Sequence, residues 1–144
     1  MINLALVQAE DSDAAFTESL NKQNMSSYFQ RNNIAWNPER FAKDWVILEN
    51  YIITRDNIRV GTLRLSTDDS SLHIRDIQVS AAFFSQGIGS WAIQQSLLMS
   101  RQRGYTSLVL RVFKDNPAKR LYERLGFIVV ADDDQVFHMR KLIT

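Results

Sequence analysis

The sequence predicts an α+β protein with a mixed, mostly antiparallel β-sheet and helices on both faces. Apolar patterns with strand and helix periods follow one another as β, α, α, a three-stranded meander, then α, β, α, β, β. The run "SLVLRVF" is apolar almost throughout, as is typical of a buried parallel strand, whereas the short turns of the meander require antiparallel pairing. The length of 144 residues suits a single domain, residues 1–144.

The first third of the chain predicts one strand and two helices. A strand over about Ile2–Gln8 ends in "EDSD", where Asp11 or Ser12 caps the helix that follows. A polar stretch, "NMSSYFQRNNIAWNP", links this helix to the next. The second helix begins at Pro38, with Asn37 as its cap.

The middle third predicts the meander. Asp56 and Asn57 tolerate the left-handed backbone of a tight turn, so the β-rich runs on either side form a hairpin. A second turn leads into "LHIRDIQVS", a strand whose two faces both mix apolar and polar residues. Because this strand carries charges in its middle and apolar residues at its end, it is a candidate wall of a functional site.

The last third predicts a helix, a strand, a short helix and two strands. The first helix follows "GIG" and ends before Gly104, which has the place of a C′ residue. After the apolar strand at 107–113, Asn116 caps a short helix, Pro117 takes its first turn and Gly126 ends it. The runs "IVVAD" and "QVFHMRKLI" close the chain as two strands around an acidic turn.

Composition and charge argue against several classes of protein. The net charge of +1 lacks the basic excess that is typical of nucleic-acid binding. Without cysteine, the chain forms no disulfide, no thiolate metal site and no cysteine nucleophile, and no metal is expected. The N-terminus lacks the basic region of a signal peptide, and no apolar run is long enough to span a bilayer. We therefore expect a soluble, cytoplasmic protein that binds neither nucleic acid nor membrane.

The segment "FFSQGIGS" predicts an anion-binding turn. Gly87 and Gly89 stand where a strand passes into a helix, so unpaired backbone N–H groups and the positive end of the helix dipole meet there. Glycine lets a phosphate approach the backbone, because no Cβ intervenes. The dinucleotide fingerprint G-x-G-x-x-G would need a third glycine, at the position of Ala92. Alone, the motif is weak, because glycine before a helix more often marks an ordinary tight turn.

A second motif, "DNPAKRLYERLGF", follows after one helix and one strand. Together the two motifs resemble the GNAT acetyltransferase superfamily, over roughly residues 61–127. Members typically carry an R/Q-x-x-G-x-G/A turn after a strand that ends in Val, and later an N-x-x-A/S-x-x-L-Y-x-x-x-G-F helix. The second pattern is matched by Asn116, Ala118, Leu121, Tyr122, Gly126 and Phe127, with the first two one residue closer together than usual.

The resemblance implies acetyl-CoA as cosubstrate, with its pantetheine arm in a gap between two splayed parallel strands, the first ending at Ile77–Val79. The residues implied to bind it are Ile77, Gln78, Val79, Phe84, Ser85, Gln86, Gly87, Ile88, Gly89, Ser90, Asn116, Lys119 and Tyr122. One position departs from the family: Phe84 stands where members carry Arg or Gln, so the loop brings no cation of its own. Lys119, Arg120 or a shifted Gln86 would have to compensate.

The implied reaction is direct transfer of the acetyl group to a primary amine, since no cysteine can carry it. By resemblance, Tyr122 donates a proton to the leaving thiolate, and a backbone N–H near Gln78 or Val79, where members bulge the strand, meets the oxyanion. Asp76 and His73 are the candidate bases: histidine is a common general base at physiological pH, whereas Asp76 suits holding a cationic amine. Because the two have opposite parity on a regular strand, only a bulge would let both face the acceptor.

The acceptor pocket is expected between the two early helices and their link. Tyr28, Phe29 and Trp36 would form its walls, and Asp76 would bind the amine. Whether the amine belongs to a small molecule or to a protein is left open. A CoA-sensing or partner-binding module with the same fold and little catalysis is the alternative, motivated by Phe84 and by the two competing bases. Exposed strands at the C-terminus would allow a homodimer.

Overall fold

The computed structural model describes residues 3–144, and these residues form a seven-stranded mixed sheet with helices packed on it. In chain order the elements are β1 (Leu4–Gln8), α1 (Ala14–Arg31), α2 (Pro38–Ile47), β2 (Glu49–Arg55), β3 (Ile58–Thr67), β4 (Ser71–Val79), α3 (Ile88–Gln102), β5 (Ser107–Phe113), α4 (Ala118–Arg124), β6 (Ile128–Asp132) and β7 (Val136–Leu142). Short 3₁₀ helices at Asp11–Asp13 and Ala81–Phe83 precede α1 and the turn into α3. This is the predicted order of elements.

The sheet is antiparallel except at its centre. Its strand order is β1-β2-β3-β4-β5-β7-β6, and each neighbouring pair other than β4–β5 is antiparallel. The parallel pair is joined through α3, because parallel neighbours need a long crossover connection. The predicted α+β class, a mixed sheet with helices on both faces, is confirmed.

The two parallel strands separate along their length. Ser71–Ile74 of β4 pairs with Ser107–Leu110 of β5, and beyond these residues the two strands are no longer paired with each other. The end of β4, residues 77–79, therefore borders a gap in the sheet, where its backbone is open to an added extended chain. The predicted splay between the two strands is confirmed.

Alternate residues of β3 separate an apolar face of the sheet from a polar one. Leu63 and Leu65 are fully buried in the core that also contains Ile93 of α3. Arg64 lies between them and points to the opposite face, where its guanidinium carbon is 4.7 Å from the ring centroid of Phe41 in α2. The polar face, beneath α1 and α2, is therefore where a functional site can form.

The start of the chain differs from the prediction in one respect. The predicted first residue of β1, Ile2, lies outside the described residues. The capping box at the 3₁₀ turn joins Glu10 and Asp13, and the backbone N–H of Glu10 donates to Oδ2 of Asp13 at 3.0 Å. The prediction that Asp11 or Ser12 caps the first helix is therefore wrong, because the reciprocal pair begins one residue earlier.

The predicted link between the first two helices is mostly helix. α1 continues to Arg31, so the helix includes residues that the sequence analysis assigned to the link. Tyr28 stacks on Phe113 of β5 with ring centroids 6.1 Å apart, and Phe29 meets the same ring edge-on at 6.0 Å. The polar residues of this stretch have ordinary helix propensities, and these tertiary contacts extend the helix.

Several predicted caps and turns elsewhere are confirmed. At α4, Pro117 rather than Asn116 has the cap position, although Oδ1 of Asn116 accepts from the backbone N–H of Ala118 at 2.9 Å. The side-chain oxygen of Asn37 accepts two backbone N–H groups at the start of α2. Asp56 and Asn57 form the β2–β3 turn with φ of 51° and 68°. Gly104 and Gly126 follow α3 and α4 with φ of 79° and 96°. Local turn chemistry therefore fixes most of the element boundaries.

Candidate active site

A cavity of about 570 Å³ lies on the polar face of the sheet, between α1, α2 and the diverging ends of β4 and β5. Its lining includes Phe29, Trp36, Arg64, Asp76, Gln78, Arg111, Phe113 and Tyr122. The lining thus combines residues that the sequence analysis assigned separately to the acceptor pocket and to the chemistry.

Asp76 is buried in the wall of this cavity and is held by three side chains. Asn21 of α1 donates to Oδ2 at 2.8 Å, and the side-chain amide of Gln78 donates to Oδ1 at 2.8 Å. Nη1 of Arg64 lies 3.9 Å from Oδ2. Burial raises the pKa of Asp76, although the hydrogen bond from Gln78 and the charge of Arg64 act in the opposite direction. A carboxyl group in this environment is suited to gaining and losing a proton near the reacting atoms.

Tyr122 lines the same cavity as Asp76. Its ring packs edge-on against Phe127, with the centroids 6.1 Å apart. Burial and, secondarily, the charge of Asp76 raise the pKa of the Tyr122 phenol to about 12. The phenol therefore stays protonated through neutral pH, as a proton donor must.

His73 is placed away from the cavity, although the strand geometry brings it to the same face as Asp76. β4 is bulged at Arg75, which has no partner on β3, and the extra residue reverses the parity of the strand. Nε2 of His73 lies 2.6 Å from Oδ2 of Asp68 in the β3–β4 turn, and this hydrogen bond lowers the pKa of Asp68 to about 2. Of the two candidate bases, only Asp76 lines the cavity.

The bulge lies earlier in β4 than the family resemblance implies, and Gln78 and Val79 keep a regular register with β3. Both are joined instead to α1, where Nδ2 of Asn24 donates to Oε1 of Gln78 at 3.1 Å and to the backbone oxygen of Val79 at 2.9 Å. Asn24 and Asn21 are residues that the sequence analysis missed. The sequence pattern that could have indicated them is a pair of asparagines at positions i and i+3, which lie on one face of a helix.

The turn before α3 presents open backbone donors. Ser85 and Gly87 have φ of 62° and 78°, and the left-handed conformation at Gly87 is one that a residue with a Cβ rarely adopts. Gly89 is the second residue of α3, where N–H groups have no helical partner, and a Cβ built on it meets no described heavy atom within 4 Å. Ser90 follows and is partly exposed. An anion can therefore approach this backbone closely, which fits a phosphate group.

Arg55 of β2 contacts this turn. The side-chain oxygen of Gln86 accepts a hydrogen bond from the Arg55 guanidinium. Phe84 is 53% exposed and brings no charge. Arg55 thereby places beside the turn the cation that Phe84 does not supply. Arg55 could not be predicted from the sequence, because β2 and the turn are distant along the chain and meet only through the pairing of β2, β3 and β4.

Of the remaining residues predicted to bind acetyl-CoA, some line the cavity and others lie outside it. Ile77 and Asn116 line the cavity. Ile88 is buried in the core, so its side chain anchors the turn while its backbone stays at the helix start. Lys119 lies outside the cavity lining, with its ammonium 3.6 Å from the carboxylate of Glu123.

The aromatic walls of the cavity include two of the three predicted residues. Phe29 and Trp36 line it, stacked with centroids 6.0 Å apart, and Phe41 continues the row 6.3 Å beyond Trp36. Tyr28 lies outside the lining, where it stacks on Phe113. One wall of the cavity is therefore a flat aromatic surface.

No helix in residues 3–144 combines the length and the apolar character needed to cross a membrane. In the same part of the chain, no group of three or more His, Asp or Glu side chains is arranged to hold a metal ion.

Comparison with known proteins identifies a family. The model of the acetyltransferase (GNAT) family matches residues 13–127, which is most of the chain. No curated protein sequence matches.

Solved structures show the same fold. The PaiA N-acetyltransferase from Thermoplasma acidophilum, in complex with coenzyme A, has a TM-score of 0.79 at 12% identity, over 97% of this chain and 99% of that one. The ribosomal-protein-S18-alanine N-acetyltransferase from Escherichia coli has a TM-score of 0.78 at 19% identity, over 99% and 95%. Arabidopsis thaliana Naa50, in complex with the bisubstrate analogue CoA-Ac-MVNAL, has a TM-score of 0.73 at 18% identity, over 96% and 97%.

Proposed function

The chain belongs to the GNAT family of acetyltransferases, and we propose that it transfers the acetyl group of acetyl-CoA directly to a primary amine. The observation that carries the proposal is the pair formed by Asp76 and Tyr122, which line one cavity where β4 and β5 diverge. One of these groups is an acid with a raised pKa and the other is a phenol protonated at neutral pH. This combination suits a reaction that takes protons from an amine and gives one to a thiolate.

The groups that we propose for binding acetyl-CoA are backbone donors and one arginine. The start of α3, at Gly87 to Ser90, offers unpaired N–H groups to the pyrophosphate, and Arg55 adds a positive charge beside Gln86. The open edge of β4 at Ile77 to Val79 suits the extended pantetheine arm. Similar structures that contain coenzyme A or a CoA conjugate support this assignment.

Bound acetyl-CoA supplies the acetyl group as an activated thioester. Asp76 holds the incoming ammonium group and accepts one of its protons, since only a neutral amine attacks a carbonyl carbon. Asn21 and Gln78 fix the orientation of the Asp76 carboxylate through their hydrogen bonds to its two oxygens. Tyr122 donates its phenolic proton to the sulfur atom that leaves.

The experiment that tests the proposal has two steps. A calorimetric titration with acetyl-CoA, beside free CoA and ATP, should give saturable binding at one site that ATP does not reproduce. A panel of primary amines should then release free CoA thiol from acetyl-CoA, and Tyr122→Phe and Asp76→Asn should each abolish most of this release. Loss of activity in His73→Gln, with full activity in Asp76→Asn, would return the role of base to His73.

A CoA-binding module without catalysis is the competing function. Its main support was Phe84, and the contact between Arg55 and Gln86 weakens that support by bringing a cation to the same turn. Saturable acetyl-CoA binding together with no transfer to any amine of the panel would favour the module.

A homodimer through the exposed last strands stays a prediction. In such a dimer, the exposed apolar side chains of Ile128 and Val130 on the edge strand β6 would be covered.

A further inference from the structure

Arg64 is a buried arginine with an unused donor in the lining of the cavity. Its side chain is only 6% exposed, and Nη2 has no hydrogen-bond partner among residues 3–144. The rest of the guanidinium is fixed: Nε donates to Oδ1 of Asn50 at 3.0 Å, and the ring of Phe41 lies against it. A buried N–H group without a partner costs free energy, so an arginine of the cavity lining that has an unpaired donor favours an acceptor that arrives with a ligand.

The neighbour of Arg64 on the next strand is Asp76. The two are register partners on β3 and β4, and their nearest charged atoms are 3.9 Å apart. A cation and an anion side by side in one cavity match a molecule that carries the opposite pair on adjacent atoms. An α-amino acid is such a molecule, because its amino group and its carboxylate share one carbon atom.

The other charges of the cavity favour an anionic group on the acceptor. Besides Arg64 and Asp76, the lining contains Arg40, Arg75 and Arg111 and the aspartates Asp44 and Asp133. In residues 3–144, no carboxylate oxygen lies within 4.0 Å of Arg40, Arg75 or Arg111, so none of these three cations is in a direct ion pair. Asp44 and Asp76 partly compensate Arg64, but neither hydrogen-bonds to its Nη2.

We propose that the acceptor is a free α-amino acid, whose carboxylate binds the guanidinium of Arg64 while its amino group lies at Asp76. This inference rests on the proposed acetyl transfer. In that reaction an N–C bond forms to the acetyl carbon and the C–S bond breaks. The ammonium loses two protons: one passes through Asp76 to solvent, and the other replaces the phenolic proton that Tyr122 gives to the CoA thiolate. The aromatic wall at Phe29 and Trp36 then contacts the amino-acid side chain.

The test compares each acceptor with its own amide. The amino acids and their amides are assayed with acetyl-CoA, because amidation keeps the amine and the side chain and removes the negative charge. Since amidation also lowers the pKa of the amine, which increases the fraction of reactive neutral amine in the amide, a preference for the acid cannot arise from amine basicity. A hydrogen bond to a charged group contributes about 1.5–3 kcal/mol, which is roughly ten- to hundredfold in kcat/KM. At least one amino acid should therefore exceed its amide by tenfold or more.

Two variants test whether Arg64 causes the preference for the acid over its amide. Arg64→Met should bring the ratio of acid to amide close to one, whereas Arg64→Lys, which keeps the charge, should retain part of the preference. Arg101→Met is the matched control, since Arg101 lies on α3 outside the cavity, and its ratio should equal that of the wild type. Because the ratio is measured within each variant, a general loss of activity does not affect it.

A binding measurement gives a readout that is independent of turnover. Calorimetric titration of the best amino acid into protein saturated with free CoA should give a Kd at least tenfold lower than that of its amide.

Equal use of acids and amides would overturn the inference and leave the acetyltransferase proposal standing. A preference for amides would also overturn it, and would direct the search to peptide N-termini. CoA binding with no transfer to any amine would remove both proposals. If Arg64→Met does not fold, the ratios of acid to amide in the wild type and in Arg64→Lys still decide whether the acceptor carboxylate binds Arg64.

Discussion

Replacing Gly89 by alanine should affect stability and cofactor binding in opposite directions. Gly89 is the second residue of α3, and a Cβ at this position meets no described heavy atom within 4 Å. In a helix, alanine is favoured over glycine by about 0.5–1 kcal/mol, which for a chain of this size raises Tm by about 2–4 °C. The same Cβ would occupy the space through which a phosphate reaches the backbone N–H groups.

The expected loss of affinity follows from the hydrogen bonds at stake. A bond to a charged group is worth about 1.5–3 kcal/mol, so the loss of one weakens acetyl-CoA binding by roughly ten- to hundredfold. Calorimetric Kd values and thermal unfolding of Gly89→Ala and the wild type measure the two effects on the same samples. Unchanged affinity in a stabilised Gly89→Ala protein would refute the reasoning, because it would mean that no phosphate approaches this residue.

Gly104→Ala is the matched control at the other end of α3. Gly104 has φ of 79°, so alanine is strained there and should lower the free energy of unfolding by about 1 kcal/mol. The residue is far from the phosphate-binding turn along the helix, and acetyl-CoA affinity should stay within twofold of the wild type. A loss of affinity in both variants would point to general destabilisation.

Three further substitutions test the remaining parts of the site. Tyr122→Phe should lower kcat by about 10²–10⁴-fold with acetyl-CoA affinity within twofold of the wild type, and a normal kcat would exclude Tyr122 as the acid. Arg55→Ala should weaken acetyl-CoA binding by roughly three- to tenfold at low salt and less at high salt; a salt-independent result would argue against a contact with phosphate. Because burial raises the pKa of Asp76, folding favours its protonated form. The contribution of Asp76 to the free energy of unfolding should therefore be full below pH 3.8 and be lost as the pH rises through the raised pKa. In chemical unfolding measured against pH, the difference between the wild type and Asp76→Asn should change over that range, and a difference that does not vary with pH would contradict the prediction.

Features controlled by neighbouring residues could be predicted from the sequence. Asn37, the Asp56–Asn57 turn and Gly87 act through their own backbone or through N–H groups two or three residues away, so their effects are visible in a short segment. The apolar run of β5 predicted a buried parallel strand because both of its faces are covered. The wrong prediction of the cap at the start of α1 also concerned a local feature. It was wrong because three acidic residues and a serine compete there for one capping position.

Features that depend on the sheet could not be predicted in this way. Arg55 reaches the phosphate-binding turn, and Arg64 reaches Asp76, only through strand pairing. Asn21 and Asn24 reach β4 only because α1 packs across the polar face of the sheet. A single sequence contains no signal for register between distant segments, so it does not show which distant group each of these side chains contacts.

The mixed faces of β4 have a physical cause in its bulge. Leu72 and Ile74 pack in the core on the α3 side, and after the bulge Ile77 and Val79 continue that contact. The apolar positions thus change from even to odd numbers, and the polar positions change with them. On a regular strand the side chain of Asp76 would point into the apolar core, where an ionised carboxylate is strongly disfavoured. The one-residue insertion therefore brings a titratable group to the cavity, and the change of phase in "LHIRDIQVS" is the signal from which it could be predicted.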